Sequence, residues 1–148
     1  MAVLVTFLFV LQLLVGSYMY GSVLGAGQWS SNARATRIPD LVAFAHPLLA
    51  VVTLAIWVGY MVSERTGFAW ATLAALLVTA SGGLVMAWKT LQGSRYVERP
   101  GRNQGVLEPG DPAEVRVAEK QIPRLAIKLH GITFALLTVG TLLVALGV

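Results

Sequence analysis

Four stretches of this chain are each long and apolar enough to cross a lipid bilayer, and that fact constrains its fold more than any other. A spanning helix needs about 20 consecutive, mostly apolar residues. Residues 2–24, 41–62, 68–88 and 125–148 meet that length, the last interrupted only by Lys128 and His130. In hydrocarbon no water satisfies backbone N–H and C=O groups, so each stretch has to pair its own as an α-helix. The expected fold is therefore an all-α integral membrane four-helix bundle, one domain over residues 1–148, surrounded by lipid.

Composition agrees. Only 12% of the 148 residues are charged, against about 25% in an ordinary soluble domain. A net charge of +4 would suggest nucleic acid in a soluble protein. Here the basic residues flank apolar runs, so anionic headgroups are the expected partner and nucleic acid is not. The absence of cysteine removes disulfides, thiolate metal sites, iron–sulfur clusters and covalently attached c-type haem. The first stretch lacks the basic flank of a signal peptide and is too long for its apolar segment, so it is expected to remain as a span.

The connections differ in kind. Residues 25–40 form a short polar loop ending in Pro39-Asp40, a helix-start signal for the second span. Ser63 to Gly67 is a tight turn, which makes spans two and three antiparallel neighbours. Residues 89–124 are the one substantial extramembrane segment. Pro100, Gly101, Gly105, Pro109 and Gly110 make its first half irregular. Asp111-Pro112-Ala113-Glu114 then has capping-box spacing, with proline at the first helical position, and predicts a short surface helix to about Gln121. Gly21 and Gly25 have the spacing of a small-residue helix contact, which ordinary packing accounts for.

Charge sets the expected orientation. The side with the first and third loops carries ten of the eleven Lys and Arg residues; the side with both termini and the middle turn carries Arg65 alone. Positive residues favour the cytoplasm, so the chain is expected in a cell membrane with both termini outside and the long loop inside. Tyr20, Trp29 and Trp88 near one surface, and Trp57, Tyr60 and Trp70 near the other, are placed as an aromatic belt requires.

The chain has two histidines, both inside expected spans. His46 and His130 each lie about six residues below the loop-bearing surface, on spans that run in the same direction. At 1.5 Å per residue both imidazoles sit roughly 9 Å deep. Gly82 and Gly83 from span three, and Gly21 with Tyr20 from span one, are expected at the same level, where glycine leaves room for a flat ligand or another helix. Pro47, directly after His46, removes a backbone donor and is expected to bend the second span. An intramembrane histidine can simply hydrogen-bond across helices, but ionisable groups within spans are rare and usually functional. Two facing imidazoles in a dry bundle suit a six-coordinate haem iron. Lys128, Arg124, Arg34 and Arg37 border the same surface and could reach haem propionates. No carboxylate lies inside a span, which disfavours a divalent-metal site, and no motif suggests hydrolase or nucleotide chemistry.

Two resemblances follow from these residues. Phe44-Ala45-His46-Pro47 and Lys128-Leu129-His130-Gly131 resemble the haem-ligand helices of the ascorbate-reducible cytochrome b family, whose members bind two haems through four histidines; two histidines imply one haem at most. In helix count and histidine placement the chain is also similar to one four-helix half of haem A synthase, which holds a b-type haem between histidines of its second and fourth spans. The acidic pair in the first loop of that family's catalytic half is missing, so its activity is not implied. What the resemblances imply is a fold and one haem b, with His46 and His130 as axial ligands and Gly83, Lys128 and Arg37 around it. The expected role is a non-catalytic electron-transfer subunit of a respiratory or other redox complex, with other membrane subunits as partners. The alternatives are a cofactor-free accessory subunit and a small proton channel or transporter.

Overall fold

The computed structural model describes residues 1–25, 34–35, 38–94, 116–117 and 122–148, with side chains placed in 1–21, 38–90 and 122–148. Four helices carry the fold: α1 (Ala2–Gly25), α2 (Asp40–Ser63), α3 (Thr66–Ser94) and α4 (Arg124–Leu146). All four are long and apolar enough to cross a membrane. The fold is an all-α four-helix bundle, and the apolar faces it turns outward suit a lipid bilayer.

Local sequence explains the helix limits. Pro39 and Pro123 precede α2 and α4 in extended conformation, because proline supplies no N–H that a first turn would leave unpaired. Asp40 places a carboxylate at the positive end of α2. The α2–α3 connection is only Glu64 and Arg65. Glu64 adopts the left-handed conformation (φ 54°) and returns its N–H to Tyr60 O at 2.7 Å. α2 runs through Pro47 as one helix.

Two expectations about the loop between α3 and α4 are revised. α3 continues past Lys89 to Ser94, because Lys89-Thr90-Leu91-Gln92 contains no breaker. Arg116–Val117 is not helical: it pairs in parallel with Arg34–Ala35, in register Arg34 with Arg116 and Ala35 with Val117. The alternation Val115-x-Val117 favours extended backbone and overrides the capping-box signal there. The rest of the expected surface helix lies outside the described residues.

Packing is uneven around the bundle. α2 lies chiefly along α3, α1 along α4, and α3 joins the two pairs through α4, while α1 and α2 touch least of the neighbouring helices. α2 and α4 therefore stand on a diagonal. The buried apolar core, centred on Val5, Phe9, Trp57, Leu76, Leu137 and Val144, fills the half of the bundle nearer the two termini. Gly140 lets α1 and α4 close there, since a Cβ on it would stand 2.9 Å from Val5 Cγ2. Trp57 belongs to this core and not to the interface belt, because it is wholly buried among side chains of the bundle. Its indole N–H donates to Thr6 Oγ1 at 2.9 Å, and its ring packs on Phe9 and Tyr60 with centroids 5.8 and 4.9 Å away. Buried threonines satisfy their hydroxyls on their own helices; Thr53, Thr72 and Thr141 donate to Leu49, Phe68 and Leu137 carbonyls at 2.7 to 2.8 Å.

Candidate functional site

His46 and His130 meet. Each lies six residues after the first residue of its helix, Asp40 or Arg124, so parallel helices bring them to one depth. Across the diagonal the ring centroids are 6.3 Å apart, with planes inclined at 67°.

Each ring leans on the helix paired with its own. His46 packs on α3: its Nδ1 donates to Thr79 O at 3.0 Å, and a Cβ on Gly83 would stand 3.0 Å from His46 Cε1. A Cβ on Gly82 would meet His46 Cβ and Nδ1 at 3.5 Å. His130 packs on α1: its Nε2 is 3.1 Å from Gln12 Nε2, and a Cβ on Gly16 would stand 3.3 Å from its Cε1. The Thr133 hydroxyl bonds Gln12 Oε1, holding the carboxamide in place. His130 Nδ1 is buried and has no hydrogen-bond partner among the described residues. Since more than nine in ten buried polar groups are paired, this atom asks for an explanation.

Of the residues expected at the site, the structure brings Gly83 against His46 as the depth count anticipated. On span one the count chose the wrong glycine. Gly21 has nothing within 4 Å of a Cβ, and Gly16 takes its place. Gly16 lies nine residues before the end of α1 at Gly25, against six for His130 from the start of α4; α1 overshoots by nearly one turn. Lys128 is exposed. Two residues of helix rotate it by roughly 200° from His130, so the two side chains leave α4 on nearly opposite sides. The side chain of Arg37 lies outside the described ones. Gln12, Thr79 and Thr133 were missed altogether. Gln12, the one amide in the first span, was the signal that could have found the second partner of His130.

The glycines make opposite predictions. Gly21→Ala puts a methyl into open space and removes a helix-interior glycine, so it is expected to stabilise the bundle by roughly 0.5–1 kcal/mol. Gly83→Ala forces the His46 ring, tied to Thr79 O, out of position, and is expected to destabilise. Unfolding in mixed detergent, followed by circular dichroism, checks both; stabilisation by Gly83→Ala would mean that the ring moves freely.

Among the described residues no third His, Cys, Asp or Glu joins the two imidazoles to make a metal-binding group. A bare ion would thus receive two protein ligands, fewer than the three or four of typical zinc sites. No protein-family model, curated protein or solved structure matches the chain.

Proposed function

We propose that this protein is a single-haem, b-type electron-transfer subunit, with His46 and His130 as the axial ligands of one haem b. The observation that carries the reading is the pair of imidazoles at 6.3 Å. Two imidazoles on opposite faces of one metal ion stand about 6 Å apart, given metal–nitrogen bonds of roughly 2 Å. The donor set fits too. Two protein ligands are enough for an iron whose other four come from a porphyrin, and the Nδ1–H bond of His46 to a carbonyl is the usual support of a metal-bound histidine. Gly16 and Gly83 let the two rings seat closely on α1 and α3, where a Cβ would stand 3.3 and 3.0 Å from a ring carbon, and His130 Nδ1 is an orphaned buried nitrogen. When bound, the group would supply one-electron redox chemistry; the chain would hold it and exclude water. Arg37, Arg34 and Arg124 are the residues we assign to its propionates, and partner membrane subunits would supply and accept the electrons.

Orientation belongs to the same reading: the ten-to-one distribution of Lys and Arg supports a cytoplasmic long loop with both termini outside. The chain has no native cysteine, so an impermeant thiol reagent on Glu64→Cys in intact cells tests it. Labelling is expected; protection until the membrane is breached would reverse the topology.

A second reading, a cofactor-free accessory subunit, draws on the hydrogen bonds that already occupy His46 Nδ1 and His130 Nε2. It leaves His130 Nδ1 unexplained. A reduced-minus-oxidised spectrum of the chain purified after expression with haem supplied separates the two: a b-type band is expected, and a folded, colourless protein would remove the haem reading.

A further inference from the structure

Resting on the haem-ligand reading, we propose that the Gln12 carboxamide, seated on Thr133, is a positioning residue that selects the tautomer of His130. It keeps the ring hydrogen on Nε2 and a lone pair on Nδ1.

The case is a count of hydrogens. Thr133 has one hydroxyl hydrogen, and its Oγ1 lies within reach of three acceptors: Leu129 O at 2.9 Å, His130 O at 3.1 Å, and the Gln12 carboxamide. A half-turn of that carboxamide about Cγ–Cδ exchanges its oxygen and nitrogen with little change in atomic positions. With the amide nitrogen toward the ring, Gln12 donates to His130 Nε2. The ring hydrogen then sits on Nδ1, a buried N–H with no acceptor among the described residues. With the oxygen toward the ring, Thr133 donates to Leu129 O, Gln12 donates to Thr133 Oγ1, and His130 Nε2–H donates to Gln12 Oε1. The ring hydrogen and the hydroxyl hydrogen then both have acceptors, and the unmatched feature on the ring is a lone pair. Buried N–H groups without acceptors are rarer than acceptors without donors, so the second arrangement is favoured.

His46 is fixed independently. A carbonyl only accepts, so its contact with Thr79 O places the hydrogen on Nδ1 and a lone pair on Nε2. The two rings are therefore opposite tautomers, and each offers one unprotonated nitrogen, the form a metal ligand requires. On each ring the other nitrogen is tied to an oxygen acceptor, which sets ring orientation and ligand basicity.

The test uses the full chain, labelled with ¹⁵N-histidine, in lipid nanodiscs without added haem. Two histidines give four ring-nitrogen resonances. His46 protonated at Nδ1 and His130 at Nε2 is the expected pattern. Gln12→Leu is expected to turn His130 into a tautomer mixture and to leave His46 unchanged. Thr133→Val acts in the same direction and Thr133→Ser restores the pattern, which keeps the question answerable if Gln12→Leu does not fold. A His130 protonated at Nδ1 in the unmodified chain, or one that ignores both variants, overturns the proposal. With haem added, Gln12→Leu removes an acceptor that raises ligand basicity, so the midpoint potential is expected to rise, whereas Gly21→Ala leaves it in place. A band whose potential ignores Gln12→Leu sinks the positioning role and keeps the haem reading. The expected ¹⁵N pattern without any haem band sinks the haem reading and supports the Gln12 assignment.

Discussion

Replacing either His46 or His130 by alanine is expected to abolish the b-type difference band of the purified chain while leaving its helical content in place. The expectation of total loss, with no intermediate, comes from the ligand inventory. The chain has two histidines and no cysteine, and among the described residues no other His, Cys, Asp or Glu completes a metal-binding group with them. No third imidazole and no thiolate exists in the chain to replace a lost imidazole. The fold should tolerate the change. Both rings are only half-buried, and the buried apolar core lies in the other half of the bundle. Absorption spectroscopy reads the band and circular dichroism the helices. A band that survives both substitutions would remove these residues from the site. If the unmodified chain is colourless, yet proton flux in liposomes depends on either histidine, the pair handles protons instead.

Trp57→Ala is expected to have the largest effect on stability, roughly 3–5 kcal/mol by analogy with aromatic truncations in other cores. Lipid tails are as apolar as the bundle interior, so helix association rests on packing contacts and interhelical hydrogen bonds. Trp57 contributes both: it is wholly buried, packs on Phe9 and Tyr60 and donates to Thr6 Oγ1 on α1. α1 and α2 otherwise touch little, so Trp57 is a main tie between them. Trp57→Phe keeps much of the packing and gives up the hydrogen bond, and about 1–2 kcal/mol is expected. Unfolding in mixed detergent measures both; equal losses would assign the effect to the hydrogen bond alone.

Helix count, every helix limit but the end of α3 to within two residues, the tight middle turn and the common depth of the histidines were all legible in the sequence. The reason is that hydrocarbon imposes a one-dimensional rule: a span must be long, apolar and helical, and depth follows from counting residues at a fixed rise. The contact of Gly83 with His46 was legible for the same reason.

Rotation and neighbour choice were not legible, because they depend on which helix faces which. Counting inward from Gly25 selected Gly21, but α1 overshoots its partner by nearly a turn, so Gly16 meets His130. Trp57 sits at a depth that still allows an interface residue, and only the arrival of Thr6 and Phe9 from α1 makes it core. Lys128 shares a depth with the site and not a face. Gln12 and Thr133 are 121 residues apart in sequence and touch only through the pairing of α1 with α4. Burial in lipid is a property each segment carries alone, whereas helix rotation is settled by side chains on several helices at once, which is why the spans could be read from the chain and the partners of His46 and His130 could not.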